Sequence, residues 1–444
     1  MIDVRPTPYK IVIIGGGAGG LPLAASLGHR YRNDTTVEIT LVDRVQTHVW
    51  KPLLHEVAAG RMDADAHDVD YPALAYRRHF KFRQGAMTRL DRAKRIVHID
   101  RVVDDEGSEI LPVRELRYDM LVIAVGSVSN DFGVAGVAEH TIAIDTPVEA
   151  ERFHRRLLAA SVRADAAKAA GRDGHVDVVI IGAGATGVEL AAEIRQTTRT
   201  HAAYGLDHLD PQRDVRITII EAANRILPPL PERIADAATA LLDKLAVTVR
   251  VDEKVVAVDH VGVHTQSGAH YPAQLIVWAA GIRAPAWLAQ LDGLEANRAN
   301  QLVVTATLQT TRDADVFAFG DCAACPWIGG KPEGAIVPPR AQAAYQQAKL
   351  LVRTVKARRE GKPLPQFRFR DYGSLVSLGE LSAVGTLMGN LIGGSMLVQG
   401  LIARAMYASL YKLHQRALYG SLAVVLDTIG RALRGGVEPR VKLH

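Results

Sequence analysis

Cysteine is nearly absent: Cys322 and Cys325 are the only two in 444 residues. Three positions apart, they are too close to staple a fold of this size, which excludes a disulfide-framed secreted module and makes a reducing compartment the expectation. Long hydrophobic runs are missing too. The best stretch, Leu391 to Leu410, is interrupted by Gly393, Gly394, Gln399, Gly400 and Arg404, and a spanning helix needs about 18 uncharged apolar residues. The run after Lys10, IVIIGGGAGGLPLAA, carries glycines at its centre and does not read as a signal peptide. Nor does one charge dominate the chain. Residues 401–444 hold seven basic side chains (Arg404, Lys412, Arg416, Arg431, Arg434, Arg440, Lys442) against Asp427 and Glu438, which leaves 46 basic and 46 acidic residues in the first 400. A neutral body argues against a nucleic-acid surface. The basic tail points instead to one local anionic contact, a membrane headgroup layer or an acidic partner.

What is present is apolar residue in quantity, 48% of the chain, enough to exclude disorder, over a length that suits two to four domains. Tyr9 to Ile14 reads as a buried strand, followed by six small residues, Gly15 to Gly20, and the helical run LPLAASLGHR. In a strand, turn and helix of this kind Gly15 permits the tight turn, Gly17 admits a pyrophosphate to backbone N–H groups, and Gly20 lets helix and strand approach. The next strand, VEITLVD, ends at Asp43, 23 residues after Gly20, close to the offset of about 20 at which a carboxylate accepts from a ribose hydroxyl. The pattern recurs. A strand from His175 to Ile181 leads to a turn with Gly182, Gly184 and Gly187, and the strand VRITIIE ends at Glu221. That acid comes 34 residues after Gly187, with the polar stretch RTHAAYGLDHLDPQRD read as a surface insertion. A carboxylate at Glu221 favours NADH over NADPH, while Arg225 nearby works the other way.

Two such sites on one chain imply two nucleotides. The arrangement resembles the flavoproteins with two dinucleotide-binding domains, which implies FAD, held without a covalent bond, in the first site and NADH/NAD in the second. LVIAVGS (121–127, with Gly126) and IVWAAGI (276–282, with Gly281) resemble that superfamily's crossovers between domains, and VFAFGDC (316–322) its second FAD motif, with Gly320 and the carboxylate of Asp321. The resemblance narrows to the bacterial type II NADH dehydrogenases, carried by HVWKPLLHEVAAG (48–60), GSVSNDFGVAGV (126–137), GAGATGVEL (182–190), RILPPLP (225–231), GDCAACP (320–326), PPRAQAAYQQA (338–348) and DYGSLVSLG (371–379).

Membership of that family implies oxidation of NADH through FAD, delivery of two electrons to a membrane quinone (ubiquinone or menaquinone), and no proton pumping. It implies a quinone site at Ala341, Gln342 and Gln346, where Gln342 and Gln346 share one helix face with amides able to donate to quinone carbonyls. Tyr372 stands where relatives often carry a basic residue. Glu189 resembles the family glutamate at the nicotinamide–flavin junction, with Lys51 as its expected partner; these two are the catalytic candidates. No metal is assigned, and the Cys322–Cys325 pair reads as bystander thiols.

The expected fold class is α/β, two doubly wound Rossmann-like domains with the FAD domain split by an inserted NAD domain, plus a C-terminal amphipathic-helix membrane-docking region. The expected boundaries are 1–150 and 301–385 for FAD, 151–300 for NADH, and 386–444 for docking. In the tail, Ile402, Met406, Leu410, Leu413 and Ala417, then Leu422, Val425, Leu426, Ile429 and Leu433, recur at three and four residues, with Lys412, Arg416, Arg431 and Arg434 placed to meet anionic phosphates. Such stripes face either the protein body or the headgroup layer; the charge excess favours the latter, on the cytoplasmic face of the cell membrane. A homodimer is compatible with this reading. The alternatives are a sulfide:quinone oxidoreductase, a soluble carrier reductase and a non-catalytic NADH-sensing flavoprotein.

Overall fold

The computed structural model describes residues 7–330, 333–378, 383–389 and 394–434. Two parallel sheets form its frame. The first runs in the order Gln309–Thr310, Asp313–Ala318, Met120–Ile123, Tyr9–Ile14, Val37–Asp43, Lys81–Gln84, and only its first strand is antiparallel to its neighbour. Its strands come from both ends of the residue range 9–318, so the chain leaves this sheet and returns to it. Ile11, Ile13, Val122, Ile123, Val316 and Phe317 are completely buried, as expected of strands covered on both faces.

Between those two passes lies the second sheet: Ile142–Ala143, Leu275–Trp278, Val176–Ile181, Val215–Ile220, Val247–Arg250, all parallel. In each sheet the strand that precedes the glycine turn lies between the strand that follows it directly, Val37–Asp43 or Val215–Ile220, and one that the chain reaches only later, Met120–Ile123 or Leu275–Trp278. The turn therefore opens at the point where strand order reverses, the place where doubly wound sheets bind ligands. The two crossover segments meet as a short antiparallel pair, Val128–Ser129 with Ile282–Arg283.

Five helices position the site: α1 (Gly20–Arg30), α2 (Ala185–Ala203), α3 (Ala341–Arg359), α4 (Gly400–Tyr419) and α5 (Ser421–Arg434). The expected surface insertion after the second turn is partly helix, because α2 continues through Arg199–Ala203. The buried Arg195 holds the loop that follows, donating to the carbonyls of Leu245, Ala246 and Pro211. The extra helical turns are what separate Glu221 from Gly187. A three-stranded antiparallel sheet, Gly373–Ser377, Ala383–Gly389 and Gly394–Gln399, leads into α4.

Candidate active site

The two glycine turns are near copies in space. Gly15 and Gly182 have φ of +99° and +103°, a region that side chains avoid. A Cβ on Gly20 would lie 1.9 Å from the Gly15 carbonyl oxygen, and one on Gly187 would lie 2.1 Å from that of Gly182. At Gly17 and Gly184 a Cβ would meet nothing within 4 Å. The outer glycines are therefore required by protein packing, whereas the middle ones face open space at a helix N-terminus, where an anion is favoured. Asp43 Oδ2 accepts from Gly16 N at 2.6 Å and Glu221 Oε2 from Ala183 N at 2.7 Å, so both acids sit at the equivalent amide of their turns. Burial pushes the Asp43 carboxyl above its ordinary range against the pull of the Gly16 and Val45 amides.

The crossovers gather a second group. Ser127 Oγ donates to Asp321 Oδ2 at 2.9 Å, and Gln301 Nε2 donates to the Asp321 carbonyl at 2.9 Å. Burial raises the Asp321 carboxyl, with the Ser127 hydroxyl and Lys51 acting in the other direction. Gln347 on α3 accepts from Gly320 N at 2.8 Å, tying that helix to the loop bearing Asp321. Gly126, Gly281 and Gly320 all have positive φ, at +71°, +75° and +74°, and so permit the tight reversals around it.

The expected pairing of Lys51 with Glu189 is not formed. Lys51 Nζ donates to Asp145 Oδ1 at 2.7 Å and to the Ser127 carbonyl at 3.1 Å. Burial pushes the Asp145 carboxyl up, and Lys51 together with Ser129 more than reverses this, leaving it below its usual range. Glu189 instead accepts from Ser377 N at 2.9 Å and lies 3.5 Å from His55 Nδ1. Burial, reinforced by the Glu56 and Glu193 carboxylates, drives Glu189 well above the ordinary carboxylate range, against the Ser377 amide. Burial likewise holds His55 down to about 4. The imidazole is therefore uncharged near neutral pH, and the carboxyl beside it is shifted toward its protonated form. The physical reason for the correction is solvation: Lys51 is half-exposed at the rim, while Glu189 is buried.

Gln342 and Gln346 do share a face of α3, but that face is against the chain. Gln342 Nε2 donates to Asp371 Oδ1 (3.2 Å) and the Gly373 carbonyl (3.0 Å), and its Oε1 accepts from Tyr372 N (3.2 Å). Gln346 donates to the Arg370 carbonyl (2.9 Å) and accepts from Arg370 N (3.1 Å). Each amide replaces a strand partner for residues 370–373. Gln342 has spent both amide hydrogens; Gln346 has spent one. Ala341 is the first residue of the helix.

Cys322 and Cys325 are free and buried. Burial pushes their thiols up to about 11 and about 12, which makes them poor nucleophiles.

The tail divides in two. Helix α4 lies against the body: His414 is buried, its Nε2 is 3.2 Å from His48 Nε2, its ring stacks on Trp50, and Leu418 is fully buried. The Leu418 carbonyl accepts from Arg78 Nε at 2.5 Å. One face of α4, with His414 and Leu418, thus completes the body's core, while Leu413 of the expected apolar stripe is exposed. On α5, Leu422 is 74% and Leu426 61% exposed, with Val425 and Ile429 beside them. The side chains of Ile402, Met406, Leu410, Arg431, Leu433 and Arg434, and residues Glu438, Arg440 and Lys442, lie outside the described part. Among the described residues no helix is long and apolar enough to cross a membrane.

Asp145, Ser127, Gln347 and His55 carry much of this geometry and were not singled out from sequence. Ser127, His55 and Gln347 lie within the quoted segments, and nothing local distinguishes Asp145.

With this geometry in place, comparison with known proteins is decisive. The pyridine nucleotide-disulphide oxidoreductase family matches residues 9–348. A type II NADH:quinone oxidoreductase from Haemophilus influenzae is 40% identical, covering 98% of this chain and 100% of that protein. Its namesake in Staphylococcus aureus is 28% identical over 87% of this chain and 91% of its own. Among solved structures, NDH2 from Plasmodium falciparum, determined with NADH, superposes with a TM-score of 0.79 at 19% identity, covering 98% of this chain and all of the other. A sulfide:quinone oxidoreductase from Aquifex aeolicus shares the fold with a TM-score of 0.70 at 18% identity, over 97% of this chain and 96% of that one. The chain belongs to the pyridine nucleotide-disulphide oxidoreductases and, within them, to the type II NADH:quinone oxidoreductases.

Proposed function

We propose that this protein oxidises NADH and reduces a membrane quinone without pumping protons. The observation that carries the reading is the pair of open glycine cradles, each at the switch point of a parallel sheet and joined by crossovers that meet in space. We assign FAD to residues 1–150 and 301–385, NADH to 151–300, and membrane docking to 386–444. FAD bound at the first turn would supply the two-electron chemistry, accepting a hydride equivalent from NADH and passing two electrons to quinone, with one proton taken from solution for each quinol formed.

The chain's own residues bind and orient. The backbone around Gly15, Gly17 and Gly20 and the Asp43 carboxylate would hold the flavin nucleotide, while Gly126, Gly320 and Asp321 shape the place for its flavin end. Gly182, Gly184, Gly187 and Glu221 would hold NADH, with Gly281 closing the crossover beside it. Lys51, anchored by Asp145, would set positive charge near the reduced ring. Glu189, its carboxyl shifted by burial toward the protonated form, would sit at the junction. Gln346, with one amide hydrogen left, is the better placed of the two glutamines to meet a quinone carbonyl at the α3 face, beside Ala341; Gln342 would keep residues 371–373 in place. The exposed stripe on α5 would lie in the headgroup layer of the cytoplasmic leaflet.

An anaerobic absorbance trace tests the reading. Purified protein should show a flavin band that bleaches with NADH and recovers when a short-tailed quinone is added. Bleaching without recovery would move the assignment to a carrier reductase or redox sensor, and folded protein with no flavin band would remove its basis.

A further inference from the structure

Away from the nucleotide sites, three ligand-type side chains converge on the small antiparallel sheet Val255–Val258, Gly262–Thr265 and His270–Pro272. His264 and His270 are direct cross-strand partners, so both imidazoles leave one face; their ring centroids are 4.6 Å apart, stacked at 29°. Asp259 comes from the turn before the middle strand. Its Oδ1 accepts from the Val261 and Gly262 amides at 2.9 and 3.0 Å, which turns Oδ2 toward His264 Nε2 at 2.8 Å. One donor atom from each of the three residues lies within 4.8 Å of the other two. A tetrahedral zinc, with ligands at about 2.0–2.2 Å, needs its donors roughly 3.3 Å apart. Modest rotation of side chains that are exposed or half-exposed closes that gap. Gly262 faces His270, where a Cβ would come 2.8 Å from its Nε2, so the absent side chain leaves the ring room.

We propose that Asp259, His264 and His270 form a binding site for a divalent transition metal of the zinc class, with three protein ligands and water in the remaining positions. Two imidazoles and one carboxylate suit Zn²⁺, Ni²⁺ or Cu²⁺; Mg²⁺ and Ca²⁺ take oxygen donors instead. An ordinary Asp–His bridge across a turn employs Asp259 and His264 but gives no part to His270. The two amides on Asp259 Oδ1 are the outer support that metal-binding carboxylates commonly have. The sheet also backs the segment joining the two nucleotide units: Val258 N donates to the Ala135 carbonyl at 2.9 Å. Metal bound here would fasten the hairpin behind that connection. The sequence reading assigned no metal, because Asp259, His264 and His270 match no spacing rule and meet only through strand register.

The test uses full-length, untagged, FAD-loaded protein, stripped with a chelator, dialysed and titrated calorimetrically with Zn²⁺. One Zn²⁺ should bind per chain, with Kd at least tenfold weaker in His264→Gln and in His270→Gln. Binding should be unchanged in His260→Gln, an exposed neighbour outside the cluster, and in a variant with Cys322→Ser and Cys325→Ser. Flavin absorbance and circular dichroism report folding of each variant. Electron paramagnetic resonance of the wild-type protein with one equivalent of Cu²⁺ gives an answer without any substitution: coupling to two imidazole nitrogens is expected. Absence of Zn²⁺ binding, its survival in the His264→Gln, His270→Gln double variant, its dependence on His260 or the cysteines, or an all-oxygen Cu²⁺ spectrum would each overturn the proposal.

Discussion

Gly17 and Gly20 stand three positions apart and answer to different demands. A Cβ at position 20 collides with the Gly15 carbonyl, whereas one at position 17 enters open space. Gly20→Ala should therefore destabilise the protein by about 2 kcal/mol or more through overpacking against backbone. Gly17→Ala should leave the apoprotein's melting temperature nearly unchanged and lower FAD retention instead. Equal loss of stability in both variants would contradict this division. Glu189 makes a pH prediction. Its folded pKa is raised above the ordinary 4.5, so the native state binds more protons than the unfolded state between those two values. Stability is then highest below about pH 4.5 for this group and declines as pH rises through the folded pKa. Glu189→Gln removes that decline. The variant should match the wild type near pH 5 and melt higher at pH 9; parallel melting curves across pH would show that burial is not what shifts the group.

At the scale of elements, the contact between α4 and the body depends on two uncharged imidazoles. Burial lowers His48 to about 3, with His414 adding to the effect, and lowers His414 to about 4. Each contributes stability that is complete above pH 6.5 and is lost as pH falls through the folded pKa. Acidification from pH 7.5 to 4.5 should speed amide exchange in residues 411–418 ahead of the first sheet, and should change Trp50 emission as its stacking partner leaves. His55 and His201, also held near 4 by burial, add a global decline in the same window, so the local order of events is the informative reading. If 411–418 exchange no sooner than the strand Tyr9–Ile14, the His48–His414 contact is not the acid-labile joint. Helix α3 shows how a motif can be recognised while its contacts are not: the spacing of Gln342 and Gln346 put both on one face, and the fold then set residues 370–373 against that face.

For the whole molecule, the open question of attachment turns on α5. Leu422, Val425, Leu426 and Ile429 follow one another at helical spacing and are all exposed, although burying a side chain of this size is worth about 1.5–3 kcal/mol. Replacing Leu426 and Ile429 with Glu should weaken binding to anionic vesicles at least tenfold while leaving NADH oxidation by a short-tailed soluble quinone unchanged. Unaltered vesicle binding with a shift from dimer to monomer would mean that the stripe pairs two copies of the chain rather than meeting lipid.

The sequence by itself determined what depends on local chemistry. Two strands of β-branched residues, two glycine turns and two terminal acids are legible because each role falls to a residue type at a fixed short spacing, and the order of those units along the chain specified two doubly wound sheets. Only the tertiary structure decided which long-range partners meet. Lys51 takes Asp145 rather than Glu189, since a lysine keeps its solvation at the rim while the buried glutamate loses its own. Helix α4 is held to the body by His48 and Trp50, more than 360 residues earlier in the chain, and no periodicity within α4 encodes that. His264 and His270 come together through strand register. Such contacts are set by how whole surfaces exclude water, which is a property of the assembled chain and not of any one segment.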